Sequence, residues 1–138
     1  VSKSTTPFNL PLIDYSVDFD FLFFDLKSRE MYFENNQLSQ EGTLTTQQYG
    51  KKGFSYNALD AVYNVETNEL CVSSVFPIPI KKFLIQPSNN SFCVLSNGKF
   101  PVFKNATLIK SRRLFKDKLY NNKDVSIEPN LKFTIIND

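Results

Sequence analysis

Histidine is absent from this 138-residue chain, so proton transfer or metal ligation would fall to carboxylates, cysteines, lysines or tyrosines. The densest acidic group is Asp18, Asp20 and Asp25. On an extended strand Asp18 and Asp20 would point the same way, about 7 Å apart, within the range of paired-acid glycoside hydrolysis. Their alternation with Phe19 and Phe21 is also what a solvated strand face produces, and that is the reading adopted. The D-x-D-x-D-G loop of a calcium site is missing, as is any Gly-rich phosphate loop; Gly50-Lys51-Lys52-Gly53 lacks the Walker spacing. Cys71 and Cys93 fall short of the roughly four N or S ligands of a zinc site. They are expected as two buried thiols, with one bridge between them as the alternative. These residues lead us to expect no catalytic site, no metal, no cofactor and no enzyme.

The stronger constellation is basic. From Lys99 to Lys123 the chain carries Lys99, Lys104, Lys110, Arg112, Arg113, Lys116, Lys118 and Lys123 against Asp117 alone, with Phe100, Phe103, Phe115 and Tyr120 interleaved. Cations beside aromatics suit a single-stranded nucleic acid through phosphate neutralisation and base stacking. Lys110, Arg112, Arg113, Lys116 and Lys118 are the residues expected to carry such binding. The ordinary alternative is a structural segment with one buried aromatic face and one solvated charged face. Net charge is only +2, yet it is unevenly spread: residues 1–42 sum to −4, 43–96 to +1 and 97–138 to +5. Such a chain pairs its halves in space or presents a basic face to an acidic partner.

The elements that must position these groups read as strands. Fourteen Phe and no Trp make an aromatic apolar set, which favours pleated surfaces. Residues 1–12, with Pro7 and Pro11, form an extended N-terminal arm, followed by a single domain over 13–138. Val17, Phe19 and Phe21 share one face of the first strand, and a hairpin joins residues 17–26 to 30–34. Residues 35–57 read as a mobile polar loop in which 43–48 form an edge strand. Further strands are expected at 58–65, 69–76, 81–86, 92–95, 100–103 and 131–136. Pro77 and Pro79 exclude a central strand between them, and Asn97-Gly98 signals a two-residue turn. Residues 111–120 are the one helix candidate, with Ser111 as cap and Phe115 and Leu119 four apart. The expectation is an all-β antiparallel barrel or sandwich of about seven to nine strands, with one short helix at 111–120.

Residues 23–33 (FFDLKSREMYF) align without gaps on 62–72 (VYNVETNELCV), an offset of 39. That is the length of a propeller blade, but the Trp-Asp and Gly-His signatures of WD repeats are missing. Two hairpins converging on one turn chemistry is the simpler reading. Two glycosylation sequons begin at Asn89 and Asn105, a number an Asn-rich chain reaches by chance. No stretch nears the ~20 apolar residues of a membrane-spanning helix. Val1 in place of Met reads as a trimmed or processed product. The low cysteine count leans towards an intracellular setting.

The expected function is a non-enzymatic protein–protein interaction module of a larger protein or assembly, burying exposed Phe, Tyr and Ile against a protein partner. The first alternative is a nucleic-acid-binding β-barrel using residues 99–123. The second is a secreted or surface ligand-binding β domain.

Overall fold

A computed structural model describes residues 2–3, 7–37 and 39–137. Fourteen strand segments lie among them: β1 (Ser2–Lys3), β2 (Phe8–Leu10), β3 (Tyr15–Asp18), β4 (Phe21–Asp25), β5 (Glu30–Glu34), β6 (Gly42–Thr46), β7 (Phe54–Asn64), β8 (Glu69–Val75), β9 (Ile78–Ile80), β10 (Phe83–Gln86), β11 (Phe92–Val94), β12 (Phe103–Lys110), β13 (Lys118–Ile127) and β14 (Phe133–Ile135). Every ladder is antiparallel, as the alternation requires.

Most of these segments are pieces of longer runs. β3 and β4 lie in line along β6 and β5, just as β5 and β6 lie in line along β7. β8 passes through Phe76-Pro77 into β9, and β10 and β11 follow beside them in reverse. Joining β1/β2, β3/β4, β5/β6, β8/β9 and β10/β11 turns fourteen segments into nine antiparallel traverses of an up-and-down meander. The meander curls into two half-barrels, sheet A (nine segments, β1 to β8 with β11) and sheet B (β14-β13-β12-β10-β9). The all-β antiparallel class is therefore as expected. The arm read over 1–12 falls outside the described residues at 1 and 4–6; its described parts, β1 and β2, supply the first traverse.

The breaks have local causes. Phe19 is buried where β3 gives way to β4, its ring lying where a side chain on Gly42 would stand. Opposite this kink, Asn35 accepts from the Asp20 amide at 2.8 Å, and Asp20 accepts from the Asn36 amide at 3.0 Å. The kink also rephases the strand. Val17 and Phe19 face the core as expected, but beyond the break Leu22 packs on it instead of Phe21. A one-residue slip moves every side chain to the other face. Pro77 lacks an amide hydrogen, so the ladder with β7 ends at the Phe76 amide and the chain crosses to sheet B. There Pro79 sits in β9, an edge strand, as its chemistry demands.

Four sequence expectations are corrected. Residues 111–117 form a turn and 118–120 start β13, so no helix forms at 111–120. Ten residues are too few for a helix to hold without tertiary support, whereas the same residues gain cross-strand partners, Lys118 on Lys110 and Leu119 on Ile109. Residues 42–46 are not an edge strand, because β6 lies between β3 and β7. The Asn97-Gly98 turn is a three-residue loop: the Gly98 amide donates to Leu95 O, the Leu95 amide to Lys99 O, and positive φ falls on Gly98, not Asn97. Any side chain on Gly98 would collide with the Ile13 carbonyl. Finally, Cys71 and Cys93 are not thiols. They stand directly opposite on β8 and β11, Cα atoms 3.9 Å apart, and are joined as a disulfide.

Among the described residues, twenty-six buried apolar ones form one core spanning both sheets. Its centre is aromatic, with Phe100 ringed by Tyr49, Phe54, Tyr56, Phe92 and Phe103. The buried phenols are satisfied: Tyr15 and Tyr56 share a 3.0 Å hydrogen bond, and Tyr49 accepts from the Phe100 amide at 3.0 Å. Burial pushes the Tyr15, Tyr56 and Tyr49 phenols above their ordinary value; the hydrogen bond with Tyr56 partly opposes this at Tyr15. The native state thus keeps protons that the unfolded chain releases near pH 10. Their contribution to stability is fully present below about pH 10 and is lost as pH rises beyond it. Urea midpoints measured across that range are expected to fall, and Tyr15→Phe with Tyr56→Phe to flatten the slope. An unchanged slope in the double variant would place the alkaline transition elsewhere.

Candidate functional site

The acidic candidates brace turns. Asp20 caps Asn36 as described, and the Asp25 carboxylate accepts from the Lys27 and Ser28 amides at 2.9 and 3.4 Å. Asp18 closes β3 opposite Thr43. The internal echo has the same origin. Asn64 accepts from the Glu66 and Thr67 amides at 2.9 and 3.1 Å, the role Asp25 plays 39 residues earlier. Arg29 and Asn68 both take φ 60° at the end of their turns. The two hairpins lie side by side, linked by the β5–β7 ladder and an Arg29–Glu66 ion pair at 3.6 Å. Shared Asx-turn chemistry accounts for the likeness.

Glu69 lies beside Cys71 and Cys93, with ligand atoms within 4.8 Å, but sulfurs bonded to each other offer no thiolate. Two shallow depressions, about 170 Å³ beside Phe92 and Pro101 and about 200 Å³ beside Glu34 and Asp60, fall below the ~300–1,000 Å³ of a typical ligand pocket. Phe23 and Phe24, on opposite faces of β4, and Leu26 in the β4–β5 turn are exposed.

The basic segment divides. Phe100 and Phe103 are core residues and present no ring for stacking, contrary to their place in the basic–aromatic reading. Lys104 leaves the group too, pairing with Asp124 at 3.5 Å. The five expected binding residues do converge. Lys110 and Lys118 face each other at the last rung of the β12–β13 hairpin, and Arg112, Arg113 and Lys116 lie in its 111–117 tip.

Lys81 and Lys82 join them, which spacing alone could not indicate. The register runs Ile80 to Phe83 to Lys110 to Lys118 across four strands. The β9–β10 turn therefore emerges at the same end of sheet B as the hairpin tip. Seven cations face Asp117 there, and none of the seven forms an ion pair among the described residues.

Two features shape the tip. The Arg112 guanidinium lies 5.7 Å from the Phe115 ring centroid, and its Nε donates to Lys116 O at 3.0 Å. Lys118 likewise covers Tyr120 at 5.1 Å and Lys110 covers Phe83 at 5.9 Å. At the apex the Phe115 amide donates to Arg112 O, which leaves Leu114 in the third position of the turn at φ 68°. Turns favour Gly or Asn in that conformation. Leu114 is 92% exposed and Phe115 71% exposed. One rung behind them Pro79, Leu84, Ile109 and Leu119 stand in cross-strand register on the outer face, an apolar row that crosses sheet B beside the tip. None of the known protein-family models, curated proteins or solved structures matches this chain.

Proposed function

We propose that this chain is a non-catalytic interaction module that docks on an acidic partner through the basic, apolar-tipped end of sheet B. The observation that carries this reading is the convergence of Lys81, Lys82, Lys110, Arg112, Arg113, Lys116 and Lys118 on one end of the sheet, against Asp117 in the tip and with none of the seven in an ion pair among the described residues. Like charges gathered in this way repel one another and cost stability. An anionic surface relieves the repulsion and is steered to it. The Cys71–Cys93 bridge supports an oxidising compartment over the intracellular setting suggested by the cysteine count.

The test is retention on immobilised heparin, a generic polyanion. Arg112→Glu with Arg113→Glu is expected to elute at much lower salt. Lys51→Glu with Lys52→Glu makes the same charge change in an exposed turn outside the cluster and is expected to elute close to the parent. Equal shifts in both variants would mean that only net charge matters and would overturn the reading. Nucleic acid is the second acidic class, favoured by the exposed Phe115 ring. A salt titration against a fluorescent oligothymidine tests it through the steepness of the affinity loss.

A further inference from the structure

We infer that the acidic partner is an anionic lipid surface, into which Leu114 and Phe115 insert while the surrounding cations hold the headgroups. This rests on the docking role proposed for the same end of sheet B and goes on to name its partner.

Charge alone does not separate a lipid from a nucleic acid or an acidic protein. The apex residue does. Leu114 is almost wholly exposed and holds a backbone conformation that disfavours any side chain beyond Gly or Asn. Water and backbone both oppose a leucine there, and conflicts of this sort gather at functional positions. An aliphatic side chain has no ring to stack on a base and no polar atom to read one, so nucleic acid gains nothing from it. A protein partner would need a dedicated apolar pocket for the apex with acidic groups placed around it. A bilayer interface takes both parts together: apolar side chains pass the headgroups to the acyl boundary, and cations remain among the phosphates.

The surroundings fit that orientation. Arg112 and Arg113 precede the apolar pair and Lys116 follows it, with Lys110 and Lys118 one rung behind and Lys81 and Lys82 on the neighbouring turn. Each cation close to an anionic surface strengthens binding about fivefold, so several are needed for a stable hold. The Arg112 bond to Lys116 O and its contact with Phe115 brace the loop, so little ordering remains to be done on docking. Leu119 and Ile109, paired one rung behind Lys118 and Lys110, add apolar surface beside the tip.

The experiment is co-sedimentation with vesicles of phosphatidylcholine alone and with vesicles holding about one third phosphatidylserine. Wild type is expected to pellet with the serine-containing vesicles and not with neutral ones. Arg112→Glu with Arg113→Glu is expected to weaken this at least 30-fold, since two favourable charges are lost and two unfavourable ones added. Leu114→Ser with Phe115→Ser is expected to weaken it about tenfold or more and to leave heparin retention unchanged. Both altered residues are exposed, so a circular dichroism spectrum should not change. If wild type is retained on heparin yet ignores both vesicles, the lipid inference falls and the docking role stands. If it ignores heparin and vesicles alike, both fall. If it pellets with anionic vesicles but the serine variant pellets equally well, insertion is overturned.

Discussion

Phe100→Ala is expected to cost about 3–5 kcal/mol, the largest effect of any single truncation considered for this fold. Phe100 is 7% exposed and its ring centroid lies 4.6 Å from Tyr49 and 5.7 to 6.2 Å from Tyr56, Phe103, Phe92 and Phe54. These neighbours come from the loop after β6 and from β7, β11 and β12, so one side chain fills the junction between sheets A and B. The residue's backbone amide would still donate to the Tyr49 hydroxyl after truncation, so the loss would report packing. Five rings held from three strands and a loop cannot all collapse into the space, and a poorly relaxed cavity gives the upper part of the range. Urea denaturation provides the measurement, with Phe115→Ala as a comparison expected within about 0.5 kcal/mol of the parent. A cost below about 1 kcal/mol for Phe100→Ala would mean that the aromatic cluster does not join the sheets.

Replacing both half-cystines, Cys71→Ser with Cys93→Ser, is expected to cost about 3 kcal/mol. The bridge closes a separation of 22 residues, and loop-closure entropy of that length gives a value of this order. The two positions are only half-buried, so lost packing adds little. The effect should also be local. β11 has three residues and reaches back to β8 in sheet A while β10, just before it, pairs in sheet B. The bridge clamps this short strand across the gap. Amide exchange at Phe92, Cys93 and Val94 should therefore accelerate more than exchange in β7. Unchanged protection at these amides would show that core packing of Val94 and Phe92 holds the strand without help.

Some of this protein was legible in the chain itself. Alternation placed Val17 and Phe19 inward, prolines at 77 and 79 ended one ladder and marked an edge strand, and the Asx residues at 25 and 64 set twin turns. These depend on neighbours a few residues away, through the pleat, a missing amide hydrogen or a side chain bonding its own backbone. The basic cluster of residues 110–118 was likewise visible as a run. The remainder belonged to tertiary structure. Residues 111–120 satisfy a helix locally, and only pairing with β12 makes residues 118–120 a strand. Phe100 and Phe103 look like stacking residues until the meander buries them, and Lys81 and Lys82 look unrelated until the register of sheet B sets their turn beside the hairpin tip. Cys71 and Cys93 meet because β11 crosses back to β8. Burial and adjacency are set by contacts between residues far apart in sequence, and no local periodicity encodes which distant strand a segment will find.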